Sequence, residues 1–101
     1  DNFEKKPDVF IIHLGEEAKA KVFNLAHQLR CGGLSVEQDY DGGSMKSQMR
    51  KANKSACRFA LIIGENEIKS ENYQLKNMLS GEQLKISAAS CAEEIINLLN
   101  S

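Results

Sequence analysis

The residues best placed to do chemistry in this sequence are basic rather than nucleophilic. Between Ser44 and Arg58 there are five positive side chains, Lys46, Arg50, Lys51, Lys54 and Arg58, and no acidic one. Lys46, Arg50 and Lys54 recur at four-residue intervals, which on a helix aligns them in one stripe. A solvated helix face normally mixes signs. A stripe of one sign suits phosphate, even in a chain whose net charge is −1. Asp41-Gly42-Gly43-Ser44 leads into the start of that helix, where unpaired N–H groups can hold an anion. His13 closes an apolar run and brings a ring that can hydrogen-bond to, or stack on, a nucleobase. Each feature has an ordinary alternative: a solvated histidine ending a strand, a flexible loop with a helix cap, and a solvated basic stripe.

Other chemistries are disfavoured. His13 has no serine, cysteine or second histidine at a motif spacing that would make it a catalytic base. Leu14-Gly15-Glu16-Glu17 is not a dinucleotide fingerprint, and its glutamates would repel a pyrophosphate while favouring a helix start. Walker A spacing is absent. The pairs Glu16/Glu17, Glu65/Glu67 and Glu93/Glu94 lack partners at ligand spacing and suit helix caps and surface charge. Cys31, Cys57 and Cys91 are odd in number and form no CxxC pair, so they read as reduced, mostly buried thiols of a cytoplasmic protein. No catalytic, cofactor-binding or metal-ligating residue is expected.

The elements that would position these residues follow from periodicity. With 101 residues, 42% apolar and 27% charged, the chain is one domain of ordinary soluble composition. Its apolar runs are far too short to span a bilayer, and no signal peptide is recognisable. Residues 1–7 read as an entry linker and 8–101 as the domain. Val9–Leu14 has strand length and β-branched content. Ala18, Val22, Leu25, Ala26 and Leu29 then share one helical face across Glu16–Cys31, which Gly32-Gly33 stops. Leu34-Ser35-Val36-Glu37 alternates like a strand near an edge, and Asp39–Gly43 is a loop. Ser44 caps a second helix with a buried stripe of Met45, Met49, Ala52 and Ala56. Arg58–Ile63 reads as a strand buried on both faces. Tyr73–Met78 and Gln83–Ile86 flank a Ser-Gly turn as a hairpin. Ser90-Cys91-Ala92-Glu93 matches a capping box, with Ser87 as a competing cap, opening a last helix with Ala92, Ile95, Ile96 and Leu99 inward. The order β-α-β-α-β-β-β-α implies an α/β fold with a mixed sheet. In such a sheet ligands bind beyond the carboxyl ends of the parallel strands. That rule selects His13-Leu14-Gly15, Asp39 to Ser44, and Gly64 to Glu67.

The run Asp8-Val9-Phe10-Ile11-Ile12-His13-Leu14-Gly15 before the first helix resembles the start of the C-terminal anticodon-binding domain of histidyl-tRNA synthetase. The likeness continues through Gly33-Leu34-Ser35-Val36-Glu37, Gly43-Ser44-Met45-Lys46-Ser47-Gln48 and Ala52-Asn53-Lys54. It is strongest in Arg58-Phe59-Ala60-Leu61-Ile62-Ile63-Gly64-Glu65 with Glu67, and extends to Leu75-Lys76-Asn77-Met78 and Gly81-Glu82-Gln83. It covers residues 8 to 99. The resemblance implies a three-layer α/β/α domain whose five-stranded mixed sheet has order 2-1-3-4-5, strand 4 antiparallel. It implies tRNA contacts at His13, Ser44, Met45, Lys46, Arg50 and Arg58, to which the basic stripe adds Lys54. Its implied partners are the anticodon loop of histidine tRNA and the catalytic domain of the parent synthetase dimer, with no membrane. ATP and magnesium would belong to that catalytic domain, and no cofactor to this one. The chain departs from the family at Ala56-Cys57, where Gly-Ala is usual, and at Glu71-Asn72, where glycine usually precedes the fourth strand. It departs again at His13, more often proline, and at Cys31 and Cys91, where alanine or a plain helix former is expected. Two other readings stay open: a synthetase-like domain reused for protein interaction or dimerisation, and a small α/β enzyme using His13 or Cys31. The last requires a thiol that titrates abnormally low.

Overall fold

The computed structural model describes residues 6–100, so residues 1–5 of the expected linker and Ser101 lie outside the described residues. Two strands, β1 (Val9–His13) and β3 (Phe59–Ile63), are buried along their whole length. Continuous apolar, β-branched runs of this kind are stable only in the middle of a sheet covered on both faces. Around them stand β2 (Val36–Gln38), β4 (Asn72–Asn77) and β5 (Gln83–Ser87) in the order β2-β1-β3-β4-β5. β1 pairs in parallel with β2 and β3, while β4 runs antiparallel to both its neighbours. The helices are α1 (Glu16–Cys31), α2 (Met45–Ser55), α3 (Glu65–Ser70) and α4 (Cys91–Asn100).

Because side chains alternate along a strand, the sheet feeds two separate cores. Val9, Ile11, Leu61 and Ile63 pack with Val22, Leu25 and Leu29 of α1 and Ile95 of α4, with Ile68 of α3 against them. Phe10, Ile12, Ala60 and Ile62 face the other way, onto Ala52, Cys57 and Met49. The three-layer architecture and strand order are those the sequence resemblance implied. Pro7 is already part of the domain: it is buried, and its carbonyl accepts the Arg58 N–H at 3.3 Å.

Several local expectations need correcting. The short helix α3 was not foreseen; it is six residues long with no buried side chain, too short to display a helical period. β2 is three residues long, beginning at Val36 rather than Leu34. On α2 the fully buried residues are Gln48 and Ala52. Met45 lies exposed at the open end of that helix, and Ala56 is exposed in its left-handed C-cap. The Ser90 capping box does not form: Ser90 ends a 3₁₀ turn, Ala88–Ser90, and its hydroxyl donates to the Glu94 carboxylate. Of the three thiols, Cys57 and Cys91 are buried and Cys31 is exposed. Burial pushes the Cys57 thiol up, and burial with the nearby Glu94 carboxylate pushes Cys91 up to about 12. Neither is an activated nucleophile.

Candidate nucleic-acid interface

The site is organised by the place where β2 stops. β2 pairs with β1 only as far as Gln38 opposite Ile11. The N–H and C=O of Val9, Ile11 and His13 face the β2 side, so those of His13 would be left without a strand to pair with. Gln48 of α2 takes the place of the missing strand. Its Oε1 accepts the His13 N–H at 3.0 Å, and its Nε2 donates to the His13 carbonyl at 2.7 Å and the Gly43 carbonyl at 2.9 Å. A wholly buried carboxamide thereby satisfies three backbone groups and fixes α2 to the end of β1.

The loop between β2 and α2 is held at several further points. The Asp39 carbonyl accepts the Gly42 N–H at 3.0 Å and bonds His13 Nε2 at 3.1 Å, which makes Nε2 the protonated ring nitrogen, because a carbonyl only accepts. The Asp39 carboxylate accepts the Asp41 N–H at 3.1 Å and pairs with Lys51. The bonded Lys51 ammonium, aided by the Asp41 N–H, holds the Asp39 carboxyl below the usual carboxylate range against the upward push of desolvation. Ser44 then caps α2, its hydroxyl accepting the Ser47 N–H at 3.1 Å. The N–H groups of Met45 and Lys46 open the helix, where no intrahelical partner exists.

These residues lie where the sheet rule placed them, beyond the carboxyl ends of β1 and β2. His13, Ser44, Met45 and Lys46 are brought to one edge of the sheet. His13 itself is buried, 6% exposed, and its ring lines a cleft of about 150 Å³ together with Tyr40 and Lys19. Lys46, Arg50 and Lys54 are exposed along α2 and lead away from this edge. Arg58 is at the other end: it precedes Phe59, which pairs with Val9 at the start of β1. There it lines a groove of about 450 Å³ with Lys6, Asn53 and Leu79. Lys51 is committed to Asp39 and is not part of a free basic surface. Two site residues went unremarked in the sequence. Gln48 carried a signal, since it stands four before Ala52 and three after Met45, a core-facing position occupied by an amide. Tyr40 carried none. Among the described residues no group of three or more His, Cys, Asp or Glu could hold a metal ion. Among them, too, no helix is long and apolar enough to cross a membrane.

A family profile described as an anticodon binding domain matches residues 8–98. The chain is 49% identical over 80 residues to the histidine–tRNA ligase of Caldanaerobacter subterraneus subsp. tengcongensis, covering 79% of this chain and 19% of that one. It is 45% identical over 91 residues to that of Thermoanaerobacter sp. strain X514, covering 90% and 22%. The chain thus spans about a fifth of the length of these curated relatives. Among solved structures, apo S. aureus histidyl-tRNA synthetase superposes with a TM-score of 0.84 at 29% identity, over 91% of this chain and 27% of that one. Prolyl-tRNA synthetase from Cryptosporidium parvum shares the fold, with a TM-score of 0.79 at 17% identity over 93% of this chain and 21% of that one.

Proposed function

The chain belongs to the anticodon-binding domain family, and from that premise we propose that it selects histidine tRNA, through its anticodon loop, for a histidine–tRNA ligase. The observation that carries this is the meeting of a tied loop, an open helix N-terminus and an acid-free basic stripe at the carboxyl ends of β1 and β2. The helix start and the Lys46, Arg50 and Lys54 stripe take the phosphates, which position the loop without reading its sequence. Unpaired bases are then held at the cleft edge by hydrogen bonds and stacking. His13, buried and bonded to Asp39, serves by presenting that loop and by lining the cleft. Arg58, at the far end, meets a more distant stretch of backbone.

The domain does no chemistry itself. Activation of the amino acid with ATP and magnesium belongs to a catalytic domain of the parent cytoplasmic enzyme, against which this domain works as a tethered selector. About three phosphate contacts make a weak site alone; tethering raises the effective concentration to the millimolar range. The test is an NMR titration of the chain with a histidine anticodon stem-loop and with one whose anticodon is permuted. Shifts at His13, Ser44 and Lys46 are expected, smaller with the permuted loop, and Lys46→Glu or Arg50→Glu should weaken them without loss of stability. Equal shifts with both loops would reduce the site to a phosphate-binding surface. No shifts with either would leave a domain that does not bind RNA and favour the interaction module.

A further inference from the structure

Tyr40 is 69% exposed, and no hydrogen bond or core contact of the fold depends on it. The loop that carries it is nevertheless pinned on both sides. Asp39 is held by His13, Lys51 and the N–H groups of Asp41 and Gly42, and Gly43 is held by Gln48. A lone apolar side chain in water on a loose loop is unremarkable. On a loop already ordered the backbone that carries the ring is preorganised, because its entropy has been lost before anything binds and only the ring's own rotation is left to fix. Tyr40 lines the same cleft of about 150 Å³ as His13, Lys19 and two acidic residues, Glu16 and Asp41. Those carboxylates repel a phosphate entering the cleft, so the occupant that fits is an uncharged planar group, with its phosphates left outside. Backbone approach is open as well, for Gly42 and Gly43 both sit at positive φ (76° and 114°) and present no side chain.

We propose that Tyr40 is a stacking platform for one unpaired base of an RNA loop, seated over the cleft at the end of β1. This rests on the anticodon-reading function proposed above and adds to it the residue that takes the base. Aromatic stacking on a base tolerates any base identity, so Tyr40 supplies affinity and places the base edge for its neighbours to read.

The experiment uses the 101-residue chain and histidine anticodon stem-loops in which successive loop bases are replaced by 2-aminopurine, whose fluorescence falls when it stacks on an aromatic ring. One position should be quenched on binding. Tyr40→Ala should abolish that quench and weaken binding about 5- to 150-fold, while Tyr40→Phe keeps both. Thermal melting of Tyr40→Ala should match the parent, since the ring is exposed. If the permuted stem-loop binds more weakly than the histidine one but Tyr40→Ala leaves affinity and quench unchanged, stacking is overturned and anticodon reading stands. If Tyr40→Ala weakens binding with the quench intact, stacking is likewise overturned. If the parent binds no stem-loop, both proposals fall together.

Discussion

One buried amide decides whether the binding edge exists. Gln48 stands where β2 would have continued, and it bonds three backbone groups that no strand reaches. Replacing it by leucine keeps a similar bulk but strands the His13 N–H and C=O and the Gly43 C=O, each costing about 1–3 kcal/mol when left unsatisfied. Partial relaxation toward water should leave a net loss of roughly 2–4 kcal/mol. Gln48→Glu separates donor from acceptor. An ionised carboxylate still accepts the His13 N–H but faces two carbonyl oxygens, so the charged form is penalised and the variant's folded pKa rises. A raised folded pKa means that its destabilisation grows as pH rises through and beyond the unfolded value, near 4.3, and fades on acidification. Urea unfolding at pH 7 and pH 5, with the parent as control, should therefore show a gap that narrows at the lower pH. A gap independent of pH would mean that Gln48 acts by packing alone.

At the scale of elements, the long periodic segments were legible and the short or tertiary ones were not. β1, α1 and β3 announce themselves by period and by uninterrupted apolar content, and the rule of carboxyl-end binding brings His13 and Ser44 to one edge from the sequence alone. α3 is a single turn and a half that touches the core only through half-buried Ile68, with no period to find. The pairing of Lys51 with Asp39, twelve residues apart, removes a cation from the basic surface in a way no local pattern encodes. Two sequence departures gain physical meaning here. Among the described residues, Ala56 (φ 59°) and Glu71 (φ 58°) are the non-glycine residues at positive φ, and each is the left-handed C-cap of its helix. These are positions where the resemblance leads one to expect glycine or its neighbourhood. A left-handed L-residue costs about 1–2 kcal/mol, of which glycine gives back part through its greater unfolded-state entropy. Ala56→Gly and Glu71→Gly should each stabilise by about 0.5–1 kcal/mol, raising Tm by roughly 2–8 °C. They sit at opposite ends of β3, so the gains should add in the double variant. Unchanged melting would mean that both caps relax at no cost.

For the molecule as a whole, a net charge of −1 conceals a division between its two outer layers. The layer of α1, α3 and α4 starts its helices with Glu16, Glu17, Glu65, Glu67, Glu93 and Glu94, whereas α2 has no acidic residue in its first turn and carries Lys46, Arg50 and Lys54 outward. The α1, α3 and α4 layer also carries Lys19, Lys21, Arg30 and Lys69, which leave its helices at a net −2 against +4 on α2. A polyanion is therefore favoured from the α2 side, and Tyr40's cleft lies at the border of that face, where charge changes sign and a neutral base fits better than a phosphate. The size of the basic patch sets the salt dependence. About three phosphate contacts to a single-stranded loop give a slope of roughly −2 in log K against log salt, so affinity should fall about 15-fold between 50 and 200 mM. Arg50→Ala removes one contact and should flatten the slope to about −1.4. Lys69→Ala, on α3 in the acidic layer, should leave it unchanged. Fluorescence anisotropy with a labelled stem-loop across a salt series reads all three. A slope that responds equally to Arg50→Ala and Lys69→Ala would mean that the RNA senses diffuse charge and has no preferred face, and the orientation derived from α2 would have to be abandoned.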